Sequence, residues 1–296
     1  MGSRDMLLND LLVGKGIDPT QVLVFRHRPN EPELRKVLPW LAAEKPEVFN
    51  AYQQTQGLRV EKAMLTAQYV ASFIGPQPGK ALFIGLYTIG SSKPLTREEF
   101  WRVPAYRELK PLGMRGFADE KNEETVLWFD LALTDFYEQW KGKLIVGWPP
   151  PERAWWRRAH RNEIPVLAIL EESALDGAMP DWKEIDFGWD ELGLVPARWR
   201  LALSHWRGIY FIFDQSDGKG YVGSAYGSDN ILGRWQNYAA SGHGGNHLLR
   251  RRDPQHFRFT ILERVSPDMD LVDICRLEGT WKERLHTRAP YGLNEN

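Results

Sequence analysis

The chain has 296 residues, 43% of them hydrophobic, and its 38 basic and 39 acidic side chains leave a formal net charge of −1. This length predicts two domains with packed cores, and the neutral balance excludes nucleic-acid binding through overall positive charge, so any such binding requires a local basic patch. No apolar run reaches the roughly 18 residues of a membrane span and no secretory signal pattern is present, so a soluble cytoplasmic protein without a membrane partner is expected.

The first 75 residues are dominated by helical spacing. Apolar residues recur at three- and four-residue steps, as at Leu34, Val37, Leu38 and Leu41, and a second amphipathic run extends from Glu61 to Phe73. From Gly79 the pattern changes to short apolar β-rich runs, which lie at residues 80–89, 126–131, 142–148 and 166–169. Residues 1–200 are therefore predicted to form an α+β domain, helical over 1–75 and β-rich over 79–170, with a mixed or barrel-like sheet.

The segment from Pro149 to Arg161 combines prolines, arginines and tryptophans. Its candidate DNA-binding residues are Arg153, Trp155, Trp156, Arg157, Arg158 and Arg161. On a helix, the arginines at positions 153, 157 and 161 would share one face. Arginine binds phosphates through a bidentate fork and tryptophan offers a stacking surface, which favours contact with DNA. The alternative is a surface helix whose tryptophans are buried and whose arginines pair with Glu171 and Glu172.

Tryptophan is frequent in this chain, with 13 residues. A tryptophan-rich core accounts for this frequency, since each tryptophan buries a large area. The alternative is an aromatic pocket that holds a flipped or modified base.

Residues 171–200 are acidic and rich in turn-forming residues, and we interpret them as a solvated connection that ends the first domain at residue 200. Beyond it, Gly208-Ile209-Tyr210 and Tyr221-Val222-Gly223 lie on either side of a polar, glycine-rich turn through Asp217. Two short β-patterned runs joined by such a turn predict a hairpin, because glycine permits the positive φ that the turn needs.

Two helices and a strand are predicted after the hairpin. Arg234 and Tyr238 lie four residues apart, on one face of a helix entered through Ser228-Asp229. A strand follows from Phe257 to Val265, and Ser266-Pro267 is expected to open the second helix. That helix carries Glu278 and Cys275, the single cysteine, which excludes an internal disulfide and is expected to be a small buried side chain.

This ordered set resembles the GIY-YIG nuclease superfamily. The Gly-Ile-Tyr triplet is literal, Tyr-Val-Gly stands in place of Tyr-Ile-Gly, and an arginine, a glutamate and a late asparagine follow in the family order. The resemblance covers residues 207–296, under a third of the chain. It implies a nuclease domain over 201–296, with a small three-stranded antiparallel sheet flanked by helices.

The resemblance also implies roles for individual residues. Glu278 would be the sole carboxylate on one Mg²⁺ or Mn²⁺ ion per active site, although its spacing from Lys282 fits an ordinary ion pair as well. Arg234 would contact the scissile phosphate. Tyr210 would be the general base, which requires a nearby cation to lower its pKa from the usual value near 10. Tyr221 would hydrogen-bond the attacking water or share that role.

Further site residues follow from the same resemblance. Tyr238 takes the place, four residues after the arginine, where the family carries tyrosine or histidine. Asn294, with Asn296 as the alternative, would orient Glu278 or the phosphate. His243 lies in a glycine-rich loop where some relatives place a histidine, and a loop histidine without function is the alternative.

A basic run and the family together give an expected function. Arg250, Arg251 and Arg252, together with Lys282, are expected to contact the DNA backbone, the alternative for the run being a solvated charge cluster. The expected activity is that of a metal-dependent, restriction-like DNA endonuclease whose first domain selects the site, with modified DNA as one option. Cutting both strands would require a homodimer or sequential nicking. The alternatives are a structure-specific nuclease of repair or recombination and a nucleic-acid binder that does not cleave.

Overall fold

The computed structural model describes residues 5–116 and 124–295. They form two compact units, the first ending at Gly177 and the second beginning at Ala178. Both units are mixtures of helices and strands, in agreement with the predicted α+β class. Within the described ranges, no helix combines the length and the apolar character needed to cross a membrane.

The first unit is built around one mixed sheet. Its helices are α1 (Leu8–Gly14), α2 (Pro32–Glu44), α3 (Pro46–Gln54), α4 (Leu58–Met64), α5 (Arg97–Arg102) and α6 (Pro104–Leu109). Its strands are β1 (Val22–His27), β2 (Tyr69–Ile74), β3 (Lys80–Thr96), β4 (Thr125–Leu133), β5 (Leu144–Gly147), β6 (Trp156–Arg158) and β7 (Val166–Ile169). The strand order is β6-β1-β2-β3-β5-β7, and β4 pairs with β3. Strands β1 and β2 are parallel, the other pairs are antiparallel, and the sheet curls into a half-barrel.

Two strands lie in the region predicted to be helical. The run from Glu61 to Phe73 is not one helix, because α4 ends at Met64 and β2 begins at Tyr69. Strand β2 pairs with β1 on one side and with β3 on the other. The backbone partners on both sides, together with β-branched and aromatic residues, outweigh the helical spacing of the apolar residues. The four β-rich runs predicted after Gly79 coincide with β3, β4, β5 and β7.

The sheet of the first unit is covered on both faces. Val22 and Val24 of β1 pack into one hydrophobic cluster, and Leu23 and Phe25 pack into another. Helix α1 covers the first cluster and α4 covers the second. A strand buried on both faces is apolar at successive positions, so it lacks the alternation that marks a half-exposed strand. This arrangement carries β1 through the core and places Arg26 and His27 at its end.

The arginine-tryptophan segment is not a helix. Strand β6 runs antiparallel to β1, with Trp156 opposite Phe25 and Arg158 opposite Leu23, and a short 3₁₀ turn follows at residues 159–161. The predicted helical face formed by the arginines at positions 153, 157 and 161 therefore does not exist. The edge of β1 requires a pairing partner, and this segment supplies it, since the Arg26 amide also donates to the Trp155 carbonyl at 2.7 Å.

The second unit is a small antiparallel sheet with helices. Its elements are β8 (Asp186–Gly188), α7 (Trp189–Leu192), α8 (Ala197–His205), β9 (Arg207–Asp214), β10 (Lys219–Ala225), α9 (Asn230–Ser241), β11 (Phe257–Val265) and α10 (Leu271–Arg284). The strand order is β10-β9-β11-β8. The sheet thus has four strands where three were predicted, because Phe187 pairs with Phe259 and extends the edge at β11.

Three further predictions need correction in this unit. The acidic stretch 171–200 is not a plain connection, since it holds β8, all of α7 and the first turn of α8, and the second compact unit begins at Ala178 rather than at residue 201. Helix α10 begins after Asp270, whose extended backbone breaks the helical path from Ser266-Pro267. Cys275 is exposed rather than buried.

The two faces of this sheet carry different helices. Tyr210 lies opposite Gly223 on β10 and opposite Ile261 on β11. Its face packs against α9, as the contact between the Tyr210 and Tyr238 rings shows. The opposite face packs against α10, where Ile274 joins a cluster with Val222. Strand alternation therefore sends neighbouring residues of β10 towards two different helices.

Candidate active site

Three tyrosines form a cluster on the α9 face of the sheet. The rings of Tyr210, Tyr221 and Tyr238 have centroids 6.0–6.4 Å apart. The Tyr210 hydroxyl lies 3.1 Å from the Tyr238 hydroxyl, and Tyr238 is hydrogen-bonded to Tyr221 as well. Three residues predicted separately from the sequence are thus brought together into one hydroxyl network, which we call the tyrosine cluster.

Two glycines leave room for the tyrosine cluster. A Cβ atom on Gly223 would overlap the Tyr210 hydroxyl, which gives a steric reason for glycine at the end of the Tyr-Val-Gly triplet. A Cβ atom on Gly244 would overlap the Tyr238 ring, and Gly244 also has a φ of +55°, which favours glycine. The glycine-rich loop after α9 therefore packs directly on the cluster.

The described side chains by themselves do not lower the pKa of Tyr210 as a general base would require. Burial raises its pKa, and the charges of Tyr221 and Glu278 act in the same direction. The hydrogen bond from Tyr238 and the Arg234 charge oppose that increase without reversing it. Burial raises the pKa of Tyr238 too. Tyr210 and Tyr238 are thus the buried members of the tyrosine cluster, and Tyr221 is the half-buried one.

Glu278 of α10 is held by two neighbours. Its Oε1 lies 2.7 Å from the Lys282 ammonium, and its Oε2 accepts a hydrogen bond from the Ser224 hydroxyl. The side chains are 19% exposed for Glu278 and 11% for Lys282, so the pair is largely shielded from water. Lys282, predicted as a DNA contact, is thus the ion-pair partner of the candidate metal ligand.

Ser224 is the site residue that the sequence analysis missed. It lies on β10 one residue after Gly223, and strand alternation turns it towards α10 and Glu278. The only available signal was a hydroxyl residue among the buried positions of a strand, where a polar group needs a hydrogen-bond partner.

Glu278 could hold a metal ion only with help from a substrate. No cluster of three or more metal-ligating side chains occurs within residues 5–116 and 124–295. Mg²⁺ commonly keeps several waters and is bound through one or two carboxylates together with substrate phosphates. A single carboxylate fits that mode, and in this structure the Lys282 ammonium is paired with one of its oxygens.

Arg234 is an unusual cation for its position. It lies on α9 one turn before Tyr238, is half-buried, and makes no hydrogen bond or ion pair with any described residue. Its charge lowers the pKa of Tyr210, whereas the Glu278 charge raises it, so both groups act on the same hydroxyl. A half-buried guanidinium without a partner is suited to bind an anion such as a phosphate.

Asn294 does not orient Glu278 or a phosphate. Its side chain is 2% exposed and forms two hydrogen bonds with the backbone of Val222. Oδ1 accepts from the Val222 amide at 3.0 Å, and Nδ2 donates to the Val222 carbonyl at 2.8 Å. The Leu293 amide also donates to the Gly220 carbonyl at 2.9 Å. Asn294 therefore completes the outer edge of β10 in the way a further strand would. Asn296, the alternative, lies outside the described residues.

Asn294→Ala is expected to destabilise the second unit by roughly 2 to 4 kcal/mol, because it leaves the buried Val222 amide and carbonyl without partners. The measurement is amide hydrogen exchange across Lys219–Ala225, which should accelerate in the variant. Asn237→Ala, at an exposed position of α9, is the control and should leave the exchange unchanged. Equal protection in the Asn294→Ala variant would contradict this assignment.

His243 is fixed within its own loop. Its Nδ1 accepts a hydrogen bond from the Gly245 amide at 3.0 Å. In the neutral ring this places the proton on Nε2, so that nitrogen can donate a proton but cannot accept one. The described contacts give His243 a role in shaping the loop that packs on Tyr238.

The three consecutive arginines have different surroundings. Arg252 is bound to the hairpin, since Nη1 lies 2.6 Å from Asp214 and its two terminal nitrogens contact Asp217 at 2.8 and 2.9 Å. Asp214 is 1% exposed, and although burial acts to raise its pKa, the bonds from Ser216 and Arg252 outweigh that effect and lower it. Arg252 was predicted to contact the DNA backbone, but its guanidinium is already bound to these two aspartates. Arg250 and Arg251 are exposed and make no ion pair with a described residue.

Replacing both Arg250 and Arg251 by alanine is expected to reduce the salt dependence of DNA binding, with the slope of log K against log salt smaller by about 2. Folding stability should be unchanged, since neither side chain has a partner to lose. Arg252→Ala is the contrasting variant, which should cost roughly 2 to 4 kcal/mol because it leaves Asp214 buried and unpaired. Filter binding at several salt concentrations and chemical unfolding measure the two effects. An unchanged salt slope would show that the pair does not contact DNA.

The basic and aromatic residues of the first unit also divide by environment. Arg157 binds the Pro149 carbonyl at 2.6 Å and Asn162 at 3.2 Å, so it is a structural cross-link rather than a DNA contact. Trp156 packs on the hydrophobic cluster beside Phe25, with Arg59 over its ring. Arg158 donates a hydrogen bond to the Thr66 hydroxyl, and Arg161 donates one to the ring of its neighbour His160. Arg153 and Trp155 instead line a cavity.

Comparison with known proteins gives little beyond this geometry. No protein-family model matches the sequence, and no curated protein matches it. Among solved structures, the catalytic domain of the homing endonuclease I-TevI is similar to part of the chain, with 24% identity and a TM-score of 0.26. The matched region covers 30% of this chain and 98% of that one. A similarity of this size carries no argument about fold or activity, so the function has to be inferred from the site itself.

Proposed function

We propose that the second unit is a metal-dependent endonuclease of the GIY-YIG type that hydrolyses phosphodiester bonds in DNA. The observation that carries this proposal is the half-buried Arg234 guanidinium, which has no described partner and whose charge acts on the Tyr210 hydroxyl in opposition to that of Glu278. A cation for the phosphate, a carboxylate and a set of hydroxyls are the groups that phosphodiester hydrolysis requires.

Each residue then has a defined task. Arg234 binds the non-bridging oxygens of the scissile phosphate and stabilises the charge that grows there in the transition state. Tyr221 hydrogen-bonds the attacking water, sets its direction and, being half-buried, passes the proton of the water to solvent, while the leaving oxygen takes up a proton from solvent. Tyr210 and Tyr238 hold Tyr221 through the hydroxyl network, which spares the site any need to ionise a buried phenol.

The metal proposal is limited to what the residues can supply. Glu278 would hold one Mg²⁺ or Mn²⁺ ion, which as a Lewis acid neutralises charge on the phosphate. Ser224 keeps one carboxylate oxygen oriented by its hydrogen bond. Lys282 keeps the carboxylate compensated before the substrate arrives, since an unpaired charge in this shielded position would be costly.

We further propose a restriction-like role in which the first unit selects the DNA site. One tyrosine cluster and one Glu278 give one cleavage centre per chain. Cutting both strands would therefore require two copies of the chain or two successive nicks.

A specific observation favours a second candidate, a nucleic-acid binder that does not cleave. Both oxygens of Glu278 already have partners in the described structure, namely Lys282 and Ser224. A carboxylate satisfied in this way does not need a metal ion for its stability. If this candidate is right, the chain binds DNA equally well with and without Mg²⁺.

Cleavage of plasmid DNA by the purified chain tests the proposal. The reaction is run with Mg²⁺, with Mn²⁺ and with EDTA, on methylated and unmethylated plasmid and on branched duplexes. Metal-dependent cutting is expected, and Glu278→Gln purified in parallel shows that the cutting belongs to this chain. Discrete fragments support site selection, whereas cutting of branched duplexes alone supports a structure-specific nuclease. Binding without cutting of any substrate would overturn the proposal in favour of the binder.

A further inference from the structure

The first unit contains a cavity of about 640 Å³ at the end of β1. Binding sites for small organic molecules typically enclose roughly 300–1,000 Å³, so the cavity is large enough for one nucleotide. Its wall includes His27 from β1, Tyr52 from α3 and Trp155 from the segment before β6. Trp155 and Tyr52 are both only half-buried. Two aromatic surfaces therefore border the empty space.

The aromatic wall is rigid and neutral. The His27 ring contacts Tyr52 with centroids 5.3 Å apart and Trp155 at 6.3 Å. Burial lowers the pKa of His27 to about 4, although its hydrogen bond to Gln53 acts in the opposite direction. His27 is thus an uncharged aromatic ring near neutral pH. A wall of this kind favours a ligand with a planar ring that can stack on it. It disfavours a ligand that would place a charge at this depth.

The mouth of the cavity is positively charged. Arg28, Arg115 and Arg153 line it, are exposed, and make no hydrogen bond or ion pair with a described residue. The Glu152 carboxylate is compensated, since it lies 2.6 Å from the buried Arg26. The remaining carboxylate, Glu31, is half-buried and also makes no described ion pair. Three guanidinium groups without a described partner therefore line the opening, together with one carboxylate, Glu31, that has no described cation partner.

We propose that this cavity binds one nucleobase carrying an exocyclic amine, with its phosphate on the arginines at the mouth. The base stacks on Trp155 and Tyr52, and Glu31 accepts hydrogen bonds from the amine. Thymine lacks an exocyclic amine and offers only an N3–H flanked by two carbonyl oxygens, which repel the Glu31 carboxylate, so it is selected against. The inference deepens the proposed function, because a base displaced from a duplex would give the first unit a means of selecting a DNA site.

The chain offers a matched pair of variants as the central test. Trp155 and Trp156 are adjacent, half-buried and packed on the same hydrophobic cluster, but Trp155 lines the cavity and Trp156 does not. Trp155→Ala should weaken nucleotide binding roughly 5- to 150-fold, the range measured for loss of one base-stacking residue. Trp156→Ala should leave it within about twofold. Circular dichroism and thermal unfolding establish that both variants are folded.

Binding is measured with the full chain in EDTA, where metal-dependent cleavage cannot contribute. The probes are dAMP, dCMP, dGMP and dTMP, deoxyribose 5-phosphate, and twelve-nucleotide single strands of each base. Their binding is measured by titration calorimetry. We expect the three amine-bearing bases to bind more tightly than dTMP, and deoxyribose 5-phosphate to bind weakest. Glu31→Gln, which keeps the size of the side chain, should reduce the preference over dTMP. Arg115→Ala should weaken all nucleotides alike, whereas Lys62→Ala, an exposed position outside the cavity, should change none.

The outcomes distinguish a base presented by DNA from a free nucleotide. They also distinguish a failure of this proposal from a failure of the nuclease proposal. Tight binding of single strands with weak binding of monophosphates supports a base presented by DNA, and the reverse supports a free nucleotide. Either result confirms a nucleobase site. Equal binding of all probes, or equal losses in folded Trp155→Ala and Trp156→Ala, overturns it. Because cleavage is not measured, a failure here leaves the nuclease proposal standing, and an inactive nuclease would leave this site intact.

Discussion

Glu278→Gln is expected to lower the rate of Mg²⁺-dependent DNA cleavage at least about 1,000-fold, because it removes the only carboxylate proposed to hold the metal ion. The substitution keeps the size of the side chain and an oxygen that can accept from Ser224. It removes the carboxylate charge that pairs with the shielded Lys282 ammonium, so a loss of stability of roughly 2 to 4 kcal/mol is expected, and chemical unfolding confirms that the variant is folded before cleavage is measured. Single-turnover cleavage over a range of Mg²⁺ concentrations measures the effect.

Glu283→Gln is the matched control. Glu283 lies on the same helix but is exposed, with Arg288 as its described partner at 3.8 Å. Its loss should leave the cleavage rate within about twofold. DNA affinity in EDTA should be similar for both variants and the native chain, since neither carboxylate contacts phosphate directly. Cleavage that survives in Glu278→Gln, with the same Mg²⁺ requirement, would show that another group holds the ion.

Arg234→Ala is expected to reduce the single-turnover rate roughly 100- to 1,000-fold, the usual cost of removing one group that stabilises transition-state charge. Arg234 makes no described ion pair or hydrogen bond, so its removal should not weaken folding. Arg234→Lys keeps the charge but loses the planar fork, and it should recover only part of the rate. The combination of a large rate loss and unchanged stability distinguishes a phosphate contact from a structural arginine.

Arg276→Ala serves as the comparison for Arg234. Arg276 is exposed on α10 and pairs with Asp273 at 2.7 Å, so its loss should change neither the rate nor the stability appreciably. A full rate in Arg234→Ala at saturating DNA would remove this residue from the proposed mechanism. A rate loss accompanied by an equal loss of stability would indicate a structural role instead.

The parts of the second unit that could be predicted from the sequence are those specified by residues close together in the chain. The hairpin follows from turn glycines between two short β-patterned runs, and helix α9 follows from Ser228-Asp229 and the spacing of Arg234 and Tyr238. These features depend on residues within one turn or one strand. The agreement of the tyrosine cluster with prediction came from the family pattern rather than from periodicity.

What could not be predicted depends on partners distant in sequence. Ser224 and Glu278 are 54 residues apart, and Val222 and Asn294 are 72 apart. Nothing local to Arg252 indicates that Asp214 and Asp217 will occupy it. Strand β1 was missed because burial on both faces removes the alternation that distinguishes a strand from a helix. The cavity near His27 likewise arises only when four separate segments meet.

The edge contact of Asn294 also fixes which residues of β10 face which helix. Its side chain is paired with the backbone of Val222 and thereby stabilises the observed alignment of the strand. A slip by one residue would turn Tyr221 and Gly223 away from α9 and would turn Ser224 away from Glu278. Both halves of the proposed site would then be lost together. One buried amide thus helps to keep the two halves of the proposed site together, and an error in strand pairing would separate them.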